Sequence, residues 1–106
     1  MVDEFNNDDK PVYIYHATTP KKAKAYRGSG AIHKPIRGFN TPIAAMAWAI
    51  KVSRNVILEI EVKSLDKIHK LPDHHNKFGE AYWIDEDIKC SEYKCFYSAG
   101  SCNDHL

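Results

Sequence analysis

The sequence predicts an α+β fold: a small single domain with a mostly antiparallel sheet and two helices. Three observations carry this. Asn55 to Lys63 alternates strictly, with Val56, Leu58, Ile60 and Val62 on one face and Glu59 and Glu61 on the other, as a half-buried strand requires. Two helix-start signals, Thr18-Thr19-Pro20 and Asn40-Thr41-Pro42, place a capping side chain before a proline whose φ already suits a first helical turn. Strand-like segments then follow one another after the second helix, giving the order β-α-(β)-α-β-β-β, which favours antiparallel pairing.

The elements follow in chain order. Residues 1–10 read as a flexible acidic leader, 11–99 as the domain, and 100–106 as a tail. Val12 to His16 is a short strand rich in Val, Ile and Tyr. The helix from Lys21 to Arg27 ends at Gly28, a residue that tolerates the left-handed cap conformation. Gly28-Ser29-Gly30 is a connection. Ala31 to Phe39 contains Pro35 and Gly38, so it reads as a loop with a short edge strand. The second helix, Ile43 to Val52, is apolar nearly all round and is expected to be buried. After the alternating strand, Ser64 to Leu71 turns the chain and Pro72 to Lys77 is a polar loop. Phe78 to Ile84 is a strand with Phe78, Glu80, Tyr82 and Ile84 on one face. Ile88 to Ser98 is a strand whose apolar phase changes near Ser91-Glu92, as a bulge would cause. Cys90 and Cys95 read as buried strand residues.

The 106 residues carry 15 Lys and Arg against 14 Asp and Glu, a net charge of +1. The balance hides a split: no acidic residue occurs from Lys10 to Leu58, while the acids lie at the start and from Glu59 onward. Such asymmetry points to an anionic partner near the basic half. The length argues against a two-domain enzyme, and the longest apolar run, Ile43 to Ile50, is too short to span a bilayer. The acidic start does not resemble a secretory signal. Three cysteines, an odd number without zinc-knuckle spacing, argue against a disulfide framework and for a cytoplasmic setting. Asp73-His74-His75 has ligand-type side chains but no second spaced pair, so no metal site is expected.

Three segments could carry chemistry. In Tyr15-His16-Ala17-Thr18-Thr19 an imidazole precedes a helix N-terminus, whose free N–H groups and dipole suit an anion. In Arg37-Gly38-Phe39-Asn40-Thr41 a guanidinium and a glycine precede the second helix start, a setting for phosphate. Each also reads as ordinary capping beside a core residue. Their repetition within the acid-free half favours a grip on a pyrophosphate. The third is Glu80, a carboxylate among aromatic neighbours, where a general base or a stabiliser of sugar cations would sit; an ion-paired strand Glu is the alternative.

Tyr15-His16-Ala17-Thr18 resembles the first motif of the ADP-ribosyltransferase fold, in its histidine-containing branch, with Ala17 where Gly is usual. The resemblance extends through Arg37-Gly38-Phe39-Asn40-Thr41 to Glu80 and covers about Val12 to Trp83. It implies NAD as substrate, transfer of ADP-ribose to a macromolecular acceptor, and no metal. The implied catalytic residues are His16, which would contact the adenosine ribose, and Glu80, beside the nicotinamide ribose. The implied NAD-binding residues are Tyr15, Ala17, Thr18, Arg37, Gly38, Phe39, Thr41 and Tyr82, with Phe39 or Tyr82 stacking on nicotinamide. The competing expectation is a non-catalytic bacterial or phage modulator that grips a protein or nucleic acid through its basic half, with Lys21, Lys22, Lys24 and Arg27 along one helix.

Overall fold

A computed structural model describes residues 12–98; the expected leader and tail lie outside these residues. Eight strands and two α-helices follow in the order β1 (Tyr13–Thr18), α1 (Pro20–Ser29), β2 (Ala31–Ile32), β3 (Ile36–Phe39), α2 (Pro42–Lys51), β4 (Val56–Glu61), β5 (Ile68–Asn76), β6 (Gly79–Ile84), β7 (Ile88–Lys89) and β8 (Tyr93–Ser98), with short 3-10 turns at Leu65–Lys67 and Cys90–Glu92. Six strands form one sheet in the order β5-β6-β3-β1-β4-β8, every neighbouring pair antiparallel. The two short strands, β2 and β7, make a separate ribbon. The fold is therefore α+β, as expected from the sequence.

Both helices start as the local chemistry dictates. Thr19 Oγ1 accepts the Lys22 N–H and Thr41 Oγ1 accepts the Ala44 N–H, each cap followed directly by proline. α1 runs past Gly28 and ends instead at Gly30, whose φ of 90° lets its N–H reach the Tyr26 carbonyl. Gly28 stays within the helix.

Alternation along the strands divides the apolar side chains between the two faces of the sheet. One core holds Ile14, Ile36, Leu58, Ile60, Ile68, Tyr82 and Ile84, joined by Ala23 of α1 and by Ile32 and Ile88 of the ribbon. The other holds Ala17, Phe39, Ile57 and Ala81 beneath Ala44, Ala45 and Ala49 of α2. α2 thus buries its alanines and not its larger side chains. Ile43 is 60% exposed, Ile50 78% and Trp48 40%, which corrects the expectation of a helix buried all round. Alanines let the helix approach the sheet closely, and Phe39, Tyr15 and Met46 fill the remaining space.

Four further expectations are corrected. The segment 31–39 is not a loop with an edge strand: β3 lies inside the sheet between β6 and β1, and Pro35 sits in the bend before it, after a cis Lys34-Pro35 bond. The chain does turn at Leu65–Lys67, but the rest of the expected turn and most of the expected polar loop, Ile68–Asn76, form the long edge strand β5, where Pro72 is tolerated because an outer edge needs no ladder partner. Ile88 to Ser98 is two strands separated by a 3-10 turn at Cys90–Glu92, so the phase change is a break in the strand. Cys95 is exposed and Cys90 half-buried, not core residues. Both sheet edges carry a register shift, between Leu71 and Asn76 in β5 and opposite Ile57/Leu58 in β8. Such irregularities discourage further strand addition. Among the described residues no helix is long and apolar enough to cross a membrane.

Candidate functional site

β1 lies against β4 along its whole length, from Tyr13 opposite Glu61 to Thr18 opposite Val56. Against β3 it is registered only at Tyr15 opposite Phe39. Beyond that position the two central strands part, and His16 occupies the fork. Its Nδ1 lies 2.7 Å from the Arg37 carbonyl oxygen, a side-chain bond in place of a strand-to-strand one. A carbonyl can only accept, so Nδ1 carries the proton and the lone pair of the neutral ring is on Nε2. Nε2 lies 3.3 Å from the Tyr26 hydroxyl, and that hydroxyl lies 3.5 Å from Thr18 Oγ1. Thr18 is fully buried.

Burial lowers the pKa of His16 below its ordinary value, and the positive charges of Arg54 and Lys22 lower it further against the opposing effect of the Arg37 bond. The imidazole is therefore neutral at neutral pH. Arg54 is itself anchored, its Nη1 donating to the Ala17 carbonyl at 3.1 Å. The fork is thus a neutral imidazole with two cations in its field.

Glu80 shares the His16 face of the sheet. Gly38 pairs with Tyr82, and Tyr82 is in the same core as Ile14, two residues from His16. Glu80 lies two residues from Tyr82, on the same face, towards the β5–β6 turn. Its carboxylate is 3.5 Å from the Lys70 ammonium, with both side chains substantially exposed, so the pair is a weak surface contact. The Glu80 backbone is held firmly: its N–H donates to Asn40 Oδ1 at 2.9 Å and its carbonyl accepts the Asn40 N–H at 3.1 Å.

The residues anticipated from the sequence fall on two faces. His16, Thr18, Gly38, Tyr82 and Glu80 share one. Tyr15, Ala17, Arg37 and Phe39 alternate onto the other. Tyr15 donates to Glu59 at 2.8 Å and meets the edge of Phe96; burial and this bond push its pKa up to about 12. Ala17 and Phe39 are buried under α2. The Arg37 side chain is exposed. A Cβ on Gly38 would stand 2.5 Å from Ile14 Cγ2 and 2.6 Å from the Tyr15 carbonyl oxygen, so the space left by the missing side chain is filled by protein. Thr41 caps α2 and also donates to the Phe78 carbonyl at 2.9 Å, while Gly79 packs against Asn40, Thr41 and Ala44. The β5–β6 turn therefore lies directly on the start of α2. Tyr82 is buried within the first core.

The sequence reading did not single out Tyr26 or Arg54, and it took Asn40 only as part of the segment before the second helix. Tyr26 was legible only as an aromatic among basic residues; that it faces the sheet emerges from the packing of α1. Two concavities lie away from the fork. One, about 190 Å³, is lined by Tyr13, Glu59, Glu61, Glu92, Tyr93 and Lys94, and the other, about 140 Å³, by Met46, Ile50, Arg54 and Tyr97 among others. Among the described residues no group of three or more His, Cys, Asp or Glu side chains is arranged to hold a metal ion. No family model, curated protein or solved structure matches the chain.

Proposed function

We propose that this protein binds NAD at the β1–β3 fork and transfers ADP-ribose to a macromolecular acceptor. The observation that supports this best is the neutral His16, bonded across the parting of β1 and β3 with Lys22 and Arg54 in its electrostatic surroundings. A neutral imidazole exchanges hydrogen bonds with ribose hydroxyls, and the two cations suit the pyrophosphate between the sugars. Tyr15, Ala17, Arg37 and Phe39 point to the other face and Thr18 and Tyr82 are buried, so in this reading the ligand meets His16 and Glu80 with those cations, and Thr18 and Tyr82 support them from within the core.

In this reading the bond between the ribose and nicotinamide breaks, and its electron pair leaves with nicotinamide. Positive charge develops on the sugar. Glu80, held at its backbone by Asn40 and only loosely paired to Lys70, offers a carboxylate to that charge. The acceptor then supplies the electron pair of the new bond, and its proton passes to a carboxylate or to water. The reading includes a cytoplasmic setting, in keeping with the odd number of cysteines.

The test is transfer of label from radiolabelled NAD into a cell lysate, alongside NAD titration by calorimetry. Glu80→Gln is expected to retain NAD binding and abolish transfer. Absence of both NAD binding and labelling by the unaltered protein would overturn the reading. The rival is a non-catalytic modulator, favoured by the four exposed cations of α1, Lys21, Lys22, Lys24 and Arg27. Binding to nucleic acid that weakens steeply with salt, without any NAD effect on the melting temperature, would support it.

A further inference from the structure

We infer that Tyr26 is the positioning residue of the fork: its hydroxyl occupies Nε2 and holds the ring plane of His16, whose tautomer the Arg37 carbonyl sets, for a ligand bearing sugar hydroxyls. The inference rests on the reading of His16 as a ligand-facing group, but its structural part stands on geometry alone. The His16 ring has two polar atoms. Nδ1 is committed to the Arg37 carbonyl at 2.7 Å and must donate there. The opposite tautomer would set the Nδ1 lone pair against the carbonyl lone pairs. Nε2 therefore accepts, and the group facing it, at 3.3 Å, is the Tyr26 hydroxyl.

That hydroxyl has one proton, which goes to Nε2. Its oxygen then accepts from Thr18, 3.5 Å away and fully buried. The result is a directed chain, from Thr18 through Tyr26 and His16 to the Arg37 carbonyl. Each member is satisfied only if the ring keeps this orientation. The charged groups in the field of the ring, Lys22 from α1 and Arg54 from the segment after α2, both oppose its protonation; Arg54 Nη1 donates to the Ala17 carbonyl, and the group at hydrogen-bond distance from Nε2 is the Tyr26 hydroxyl.

The chain also ties α1 to β1. Ala23 is the one residue of α1 that is buried outright, and Tyr26 packs beside it against the first core. A ribose hydroxyl approaching His16 must share Nε2 with Tyr26 or take its place. Tyr26 thus sets both where the imidazole stands and how readily a sugar reaches it, which makes it a determinant of affinity and not a reacting group.

The experiment is nitrogen-15 NMR of the histidine rings in the full chain, with and without NAD, for the unaltered protein, Tyr26→Phe and Thr18→Val. The unaltered protein is expected to show His16 protonated at Nδ1, with Nε2 shifted as an acceptor. In Tyr26→Phe the proton should remain on Nδ1 while the Nε2 resonance moves towards that of an unbonded nitrogen. Thr18→Val should produce a smaller shift in the same direction. NAD affinity should fall about tenfold in Tyr26→Phe, with turnover at saturating NAD little changed, a ratio equivalent to ~1.4 kcal/mol. A ring protonated at Nε2, or an Nε2 resonance that neither variant moves, would overturn the positioning role. Expected ring shifts without NAD binding by any of the proteins would leave the chain in place and overturn the NAD reading instead.

Discussion

His16 and Arg37 are joined by a 2.7 Å bond from an imidazole N–H to a backbone carbonyl, at the point where the two central strands of the sheet separate. The bond closes a gap in the ladder by giving the Arg37 carbonyl a side-chain donor in place of a strand partner. It also dictates which ring nitrogen is left to interact with anything else.

A pH dependence follows from the burial of this ring. The His16 pKa is lowered in the folded protein relative to 6.5, so between the two values the unfolded chain binds the extra proton and the folded one does not. The contribution is favourable to the fold above pH 6.5 and is lost as the pH falls towards the folded-state value. The melting temperature, followed by circular dichroism, should drop between pH 7 and pH 5. In His16→Gln that part of the slope should disappear, and an unchanged slope would count against a neutral buried ring.

Gly38 should not accept a side chain. A methyl group there meets Ile14 Cγ2 and the Tyr15 carbonyl, and the second of these is backbone that cannot rotate away. Gly38→Ala should destabilise by about 1–3 kcal/mol in urea unfolding, as overpacking of a core does. Adding Ile14→Val should recover only part of the loss, because the carbonyl contact persists.

Thr41 has two tasks, capping α2 and holding the β5–β6 turn through the Phe78 carbonyl. Thr41→Val keeps the shape and removes both bonds, with an expected cost of about 1–3 kcal/mol from a lost cap and an unmade hydrogen bond. Thr41→Ser should restore most of it. Denaturant midpoints of the three proteins provide the comparison.

The two sides of α2 should respond oppositely to substitution. Ile50 is 78% exposed and Ala45 is fully buried against the sheet. Ile50→Gln should change stability by less than about 0.5 kcal/mol, whereas Ala45→Val should cost about 1–3 kcal/mol. A helix buried through its isoleucines would give the reverse result in the same thermal melts.

Several parts of this molecule were written locally. The two Thr-Pro helix starts depend on a side chain reaching an N–H three residues on and on a fixed proline φ, so residues a few positions apart specify them. The alternation from Val56 to Val62 assigned β4 and its inward face for a similar reason: a period of two is visible without knowledge of the partner strand. The α+β class followed from these signals and their order.

What tertiary structure decided is everything that depends on a distant partner. β5 was hidden because an edge strand with solvent on its outer side needs neither an apolar period nor an N–H at Pro72. β3 was hidden because it is only four residues long, and neighbours on both sides hold it in place. The buried face of α2 was decided by how closely the sheet lets a helix approach, which favours alanine over isoleucine. The sequence by itself named His16 and Glu80 as residues to consider. It could not assign Arg37 and Phe39 to the face opposite His16 or bring Tyr26 to the imidazole, because strand register and the seating of α1 are set by contacts between residues far apart in the chain.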